Sequence, residues 1–359
     1  MSRAAWLVLI ALVPAAVFAA EYRDFNGDGK SDLSWRKNVT GGNALWLMNG
    51  IGALASGAVL VDPFWSVSHT GDLNGDGKTD LVWRSGAGTT AVWLQDGIST
   101  TTATTIMFNT NWEVSRVADL DGDGKKDLVW RNNANGQVAA WLMNGAVAPA
   151  SAVLLSDPTW AVQHIGDFNG DGKADLLWRN QLTGQTAIWL MNGLQAGSSA
   201  VIFTSTSWTV IHVGDFNGDG TDDLVWNNSA TGEWVIWLMN GLSPTSPTTV
   251  FTSIAWTVTH VGDFNGDGKD DLVWRNGSTG QTAVWLMNGT TATSQVVVLT
   301  DALWTVTHVG DYDGDGKADL VWRNPSNGTA IWLMNGTSAT SAATILSDTG
   351  WIVAPADGL

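Results

Sequence analysis

Asp263, Asn265, Asp267 and Asp271 place side-chain oxygens at positions 1, 3, 5 and 9 of a short segment that also carries Gly at positions 4 and 6. Six further segments repeat the arrangement, beginning at Asp24, Asp72, Asp119, Asp167, Asp215 and Asp311, at intervals of 47 or 48 residues. Position 3 is then Asn26, Asn74, Asp121, Asn169, Asn217 and Asp313, and position 5 is Asp28, Asp76, Asp123, Asp171, Asp219 and Asp315. Position 9 is Asp32, Asp80, Asp127, Asp175, Asp223 and Asp319. Hard oxygen ligands at this spacing wrap a calcium ion, and Gly at position 6 permits the sharp turn. Position 7 would offer its backbone carbonyl, from Lys30, Lys78, Lys125, Lys173, Thr221, Lys269 and Lys317. An EF-hand would need a bidentate Glu at position 12 and a helix after it. Position 12 of the sixth copy is Trp274, inside a strand-like run. The segments are therefore expected to be calcium loops in β-hairpins, with about seven Ca2+ per chain.

The charge balance agrees. The chain has 17 Lys and Arg against 34 Asp and Glu, a formal −17. Seven divalent ions would neutralise most of it and relieve repulsion within each loop. The same balance argues against nucleic acid as a partner, since phosphate contacts need clustered cations. Cysteine is absent, which excludes disulfides, thiol nucleophiles and thiolate-bound metals. No Gly-x-Ser-x-Gly or His-Glu-x-x-His occurs. Gly75-Asp76-Gly77-Lys78-Thr79 resembles the end of a phosphate-binding loop, but Asp72 stands where the first Gly is needed and no helix is expected after it. The paired carboxylates all belong to loops that need them for metal. No catalytic residue is assigned, and the chain is not expected to be an enzyme.

Two residue sets remain open. His69, His164, His212, His260 and His308 all lie three residues before a loop Asp, with Glu21 and Arg116 in the other copies. They could ring a ligand or metal, or serve as a repeated hydrogen-bond partner or support for the loop. The fifth copy breaks the repeat with Thr221 for Lys, Asn227 for Arg, and an extra Trp234 beside Glu233. Asn227, Glu233 and Trp234 are candidate ligand contacts; drift at tolerant positions is the alternative. The Arg after the repeat Trp, as in Arg275, is expected to pair with an Asp or pack on a Trp.

What must position the loops is read from the repeat itself. Each loop runs into Leu-Val-Trp-Arg or a close variant, and then into Trp-Leu-Met-Asn-Gly, as in Trp285 to Gly289; the second copy reads Trp93-Leu94-Gln95-Asp96-Gly97. A third Trp opens the run before the next loop, as in Trp304-Thr305-Val306-Thr307-His308. Three Trp in seven copies account for most of the 23. Period-2 alternation and short branched or aromatic runs mark strands, and Asn-Gly marks a hairpin turn with φ above zero at both residues. Four strands per copy and seven copies predict an all-β, seven-bladed β-propeller with four antiparallel strands per blade. The first copy lacks its opening strand, and Trp351-Ile352-Val353-Ala354 supplies it from the C-terminus. The C-terminal strand is expected to complete the first blade and close the ring, removing exposed edges. Residues 1–19 read as a signal peptide, with Arg3 before an apolar run and cleavage after Ala19 or Ala20. Residues 20–359 form the propeller. No other segment is apolar enough to span a membrane, so a secreted or periplasmic protein is expected.

The string Asp-x-Asn-Gly-Asp-Gly-Lys-x-Asp-Leu-Val-Trp-Arg resembles the FG-GAP/VCBS repeats of integrin α-chain propellers and of many exported bacterial proteins. The resemblance covers residues 21 to 359. It implies seven blades with a calcium in the hairpin between the first and second strands of each. The Phe-Gly of the family's name survives mostly as Val-Gly or Ile-Gly, as in Val213-Gly214 and Ile165-Gly166, and its Gly is lost at Arg23 and Ala118. Seven-bladed lectins with calcium-loop repeats look similar and imply sugar sites between or on blades, though none of their binding residues is carried over. The expected function is non-catalytic binding of a glycan or a cell-surface or matrix partner. A protein-interaction or adhesion module without sugar affinity is the alternative, and a polysaccharide-active enzyme a second one. The repeat Trp are expected in the core between blades, with sugar-stacking platforms as their other use.

Overall fold

The computed structural model describes residues 23–354, so the segment expected to be a signal peptide and Glu21 lie outside the described residues. The described chain is all β, with 28 strands in seven four-stranded antiparallel sheets and no helix. Among the described residues no helix is long and apolar enough to cross a membrane. Each sheet is one blade. In blade six the strands are Trp256–Gly262, Asp271–Asn276, Gln281–Asn288 and Thr291–Thr300, and the acidic loop joins the first to the second. First strands of neighbouring blades pack side by side along most of the ring. The loops therefore share one end of the ring, and the turns before each first strand share the other.

Blade one is built from both ends of the chain. Leu33–Lys37, Gly42–Asn49 and Gly52–Val61 are joined by Trp351–Val353, which pairs through Trp35 with Val353 and Lys37 with Trp351. Ala354 then donates its N–H to the Ser34 carbonyl at 2.7 Å. The expected ring closure is observed.

The second strands read Leu-Val-Trp because they are covered on both faces. In Asp271–Asn276 the first four residues are buried, and Trp274 is fully so. The seven hydrophobic clusters each straddle two consecutive blades. One joins Phe264, Val273 and Val284 of blade six to Leu320 and Trp322 of blade seven. Another joins blade seven to blade one through Tyr312, Val321, Leu33 and Trp35. Burial between blades, at about 25 cal/mol per Å2 of apolar surface, drives the assembly.

Two local expectations are corrected. Asn288 pairs with Thr291, so the hairpin turn is Gly289-Thr290, not Asn-Gly. Gly289 has φ +63. The second turn residue is β-branched in several blades, such as Ile51, Ile98 and Thr337. Such residues resist positive φ, so a turn needing it only at its first position fits. The strand Arg residues donate to backbone carbonyls instead of pairing mainly with Asp. Arg275 reaches Gly280 at 3.0 Å and Asp301 at 2.9 Å through their carbonyls, tying the two turns at the blade's far end together.

Candidate metal loops and tryptophan clefts

Each acidic loop is folded around its own first carboxylate. Asp263 accepts the N–H of Gly266 at 2.7 Å on Oδ1 and that of Gly268 at 2.8 Å on Oδ2. The other six loops repeat both bonds. Both glycines hold positive φ, +76 and +79 in this loop, a region that side chains resist. Position 5 turns inward as well: Asp267 Oδ1 accepts the N–H of Lys269 at 3.1 Å.

The ninth residue sits beneath the loop. Asp271 accepts the N–H of Phe264 at 3.0 Å and that of Met287, on the third strand, at 2.7 Å. Burial is the main influence on this carboxyl and pushes it up to about 7; the two N–H groups pull the other way, and the carboxylates of Asp263 and Asp267 push it further up. The same causes lift Asp32, Asp80, Asp127 and Asp175 to about 7, and Asp223 and Asp319 to about 8. In the third loop, carboxylate oxygens of Asp119, Asp121 and Asp127 lie within 4.8 Å of one another. Asp311, Asp313 and Asp315 do the same in the seventh. These are the two loops with Asp at position 3; in the others Asn donates its amide to Asp at position 5, as Asn265 does to Asp267 at 3.2 Å.

Every loop is also gripped by the next blade. The N–H of position 8 donates to the carbonyl of position 1 in the preceding loop at 2.6–2.7 Å, from Thr79 to Asp24 round to Ser31 to Asp311. The Gly of each hairpin turn donates to the position-2 carbonyl of the preceding loop at 2.7–2.8 Å, from Gly97 to Phe25 round to Gly50 to Tyr312. The position-7 side chain covers the preceding loop's first glycine. A Cβ on Gly27 would sit 3.6 Å from Lys78 Cγ, and one on Gly314 would sit 3.2 Å from Lys30 Cγ. Lys125, Lys173, Lys269 and Lys317 and the methyl of Thr221 occupy the same place elsewhere. The glycine before the loop is needed where a carboxylate faces it: a Cβ on Gly214 would lie 2.4 Å from Asp270 Oδ2. By the repeat, Ala118 faces Ala174, whose methyl leaves room, and both are buried in one cluster.

The histidines link blades to one another. His164 and His212 meet the carbonyls of Val210 and Val258 in the next blade at 3.1 and 3.2 Å, and His308 meets Ala354 at 2.9 Å. Burial, as the leading cause, lowers His164 and His260 to about 4 and His212 and His308 to about 3, so they are neutral near pH 7.

The three Trp of each blade meet in a cleft against the preceding blade. Second-strand Trp are buried, while the others are mostly half-buried. Trp130 and Trp141 have ring centres 4.9 Å apart. In blade three the cleft is a cavity of about 360 Å3 walled by Trp112, Trp130 and Trp141, with Met107 of blade two at its side. Blade seven repeats it at about 280 Å3 with Trp304, Trp322, Trp332 and Leu299. In blade five the residue equivalent to Met107 is Phe203, edge-on to Trp226 and Trp237 at 5.4 and 5.3 Å. Phe251 fills blade six in the same way, at 5.4 and 5.2 Å from Trp274 and Trp285.

The symmetry break in blade five is a packing exchange. Arg275 and Arg179 hydrogen-bond across the blade to Thr282 and Thr186. Asn227 pairs instead with Trp234, which is 1% exposed and edge-on to Trp274 at 5.3 Å. The buried ring offers no face to a ligand. Asn227 donates to the Glu233 carbonyl at 3.2 Å, and Glu233 accepts from Thr249 at 2.6 Å. The three candidates are neighbours, but they do not form a pocket around Trp234. The sequence shows the exchange but not the neighbouring blade that absorbs the indole.

The repeats match a known pattern. The FG-GAP-like repeat matches residues 72–130, 119–178, 167–226, 215–274 and 263–322, and the FG-GAP repeat matches residues 303–344. Among curated proteins none matches the sequence. Among solved structures, prolyl oligopeptidase B from Galerina marginata superposes with a TM-score of 0.62 at 9% identity, covering 96% of this chain and 53% of that one. The same enzyme bound to a 35mer hydrolysis and macrocyclization substrate gives 0.62 at 10%, covering 93% and 51%. The C-terminal WD40 domain of Sif2 gives 0.48 at 12%, covering 88% and 82%. The chain thus spans about half the length of the oligopeptidase, and at these identities the likeness shows the propeller fold alone. With six consecutive matches running from residue 72 to residue 344, the chain belongs to the FG-GAP-like repeat family.

Proposed function

We propose that this protein is an exported, calcium-loaded propeller that acts as a non-catalytic binding module for glycans. The observation that carries the binding reading is the repeated tryptophan cleft, open as a cavity in blades three and seven. Flat indole faces at a concave site suit the C–H faces of a sugar ring, and several copies on one rigid ring convert weak contacts into avidity.

The loop residues fit calcium. Positions 1, 3, 5 and 9 supply only oxygen donors, and the carboxyl beneath each loop is pushed above its ordinary range by burial and by the neighbouring loop carboxylates, a shift that a positive charge would offset. A bound Ca2+ would supply that charge, held by residues such as Asp263, Asn265, Asp267 and Asp271 with the carbonyl of Lys269. The ion would be structural. The chain's own part is to keep the carboxylates converged through the glycine N–H groups.

A glycan array probed in millimolar calcium tests the reading, with metal counted on the same sample. Binding to one glycan class and about seven ions per chain supports it. A blank array would favour a protein partner, for which the surface has a separate feature. Phe64, Ile254 and Leu303 are 74%, 87% and 55% exposed on turns at the end opposite the loops. An apolar rim of this kind suits a protein surface.

A further inference from the structure

The seven loops are of two kinds, and position 3 divides them. Its Oδ1 is placed alike in all seven, by the N–H of position 5. The distance is 2.8–3.1 Å in the five loops with Asn there, and 3.2 Å for Asp121 and Asp313. The other side-chain atom differs. In the Asn loops it is an amide nitrogen that donates to the position-5 carboxylate at 2.9–3.4 Å. In loops three and seven it is a second carboxylate oxygen, which cannot donate when ionised. There the position-7 lysine turns back onto its own loop, Lys125 to Asp123 at 2.6 Å and Lys317 to Asp315 at 2.8 Å. In the Asn loops Lys78, Lys173 and Lys269 reach instead to Asp96, Asn192 and Asn288 beside the hairpin glycine, and Lys30 stays 3.8 Å from Asp28. Loop five has Thr221 in place of the lysine. Loops three and seven thus carry four carboxylates each and draw an ammonium from their own chain. Among the described residues they are also where three carboxylate oxygens converge within 4.8 Å.

We propose that loops three and seven are a high-affinity pair of calcium sites, filled before the other five, with the position-3 residue as the determinant. The assignment rests on the calcium reading above. Affinity at oxygen-ligand sites rises with the charge of the ligand set. Exchanging Asn for Asp adds one charge and leaves the bond that places Oδ1 in position, so the difference is electrostatic and not geometric. The lysine pairs are part-exposed, and pairs of that kind are weak enough for a divalent ion to displace. The order of filling bears on the clefts. Asp127 and Asp319 accept the N–H of Met143 and Met334 at 2.8 Å, two residues along the strand from Trp141 and Trp332. Those two Trp wall the open cavities. The first ions to bind therefore brace the two blades whose clefts are open.

Titration of the calcium-stripped chain with calcium chloride tests the pair, with heat and bound metal followed together. The expected result is two ions first. The other five should follow at about tenfold higher free calcium, in a step steeper than independent sites allow. Asn265→Asp should raise the first step to three ions and leave four for the second. Asp121→Asn with Asp313→Asn should abolish the first step and leave a single class of sites. Both exchanges install a residue that other loops already carry, so the variants should fold with an unchanged circular dichroism spectrum. Seven ions entering in one step would overturn the pair and leave the calcium reading intact. A two-ion first step that survives in the double variant, or that stays at two in Asn265→Asp, would overturn position 3 as the determinant. No bound calcium at any concentration would remove the calcium reading and the pair with it.

Discussion

The carbonyl of Asp24 accepts the backbone N–H of Thr79 at 2.7 Å, so the first residue of loop one is held by the eighth residue of loop two. The same bond recurs at every blade boundary and closes through Ser31 and Asp311. A cation bound in one loop would therefore also order the carbonyl on which the next blade hangs, and ion binding and ring assembly would draw on the same contacts.

Metal removal should consequently act on the whole ring. On the calcium reading, each site contributes RT ln(1 + [Ca]/Kd), about 1.4 kcal/mol at ten times Kd. Thermal unfolding should shift upward as calcium is added, and the titration of bound ions should be steeper than seven independent sites allow. Asp263→Asn should remove one ion and lower the midpoint. An unchanged midpoint between chelator and millimolar calcium would sink the calcium reading.

The pH dependence in chelator has a definite sign. The folded carboxyls of Asp32, Asp80, Asp127, Asp175 and Asp271 sit at about 7, and those of Asp223 and Asp319 at about 8, above the ordinary value of 3.8. The folded state then binds more protons than the unfolded one, so stability falls as pH rises through this range. The buried histidines act in the opposite direction, but only below their unfolded value of about 6.5. The clean window is pH 6.5 to 8, where denaturant midpoints in chelator should fall. In saturating calcium the loop carboxylates have their counter-charge and the slope should shrink to what Asp222 and Asp270 contribute, two carboxyls outside the ligand positions that burial also raises. A flat profile in chelator would contradict the burial of these groups.

Trp234 and Asn227 should behave as a coupled pair. Trp234→Thr empties a fully buried site and should cost about 3–5 kcal/mol by denaturant unfolding, as large-to-small core changes do. Adding Asn227→Arg restores the arrangement of Arg275 with Thr282, with the carbonyls of Gly232 and Ser253 as equivalent acceptors. The double variant should recover a sizeable part of the loss. Strict additivity would show that the two positions do not share a packing site.

These residues also show how far the sequence could be read. The period, the four strands, the acidic loops and the closing Trp351–Val353 strand were legible because they depend on local patterns that repeat. Burial of the Trp234 ring was not, because the space belongs to the neighbouring blade. Nor were the partners of Arg275 and His212, which are main-chain carbonyls and leave no side-chain signature. The hairpin register was misread for a related reason: Asn-Gly is a strong turn signal, yet Asn288 is the last paired residue of its strand.

The seven clefts provide an internal control for the binding reading. Met107 and Leu299 leave cavities in blades three and seven, while Phe203 and Phe251 place a six-membered ring against the same pair of Trp in blades five and six. A ring of that size therefore fits the cleft, and its own Phe blocks a ligand there. Met107→Phe with Leu299→Phe should close both cavities with little change in stability, since the chain already accepts Phe at this position twice. Avidity for a neutral glycan should fall sharply in that variant. Phe203→Leu with Phe251→Leu should do the reverse, adding sites counted by calorimetry at a modest cost in melting temperature. Plugged and unplugged proteins that bind the same glycan with equal stoichiometry would remove the tryptophan clefts from the binding surface and move the search to the apolar rim around Phe64 and Ile254.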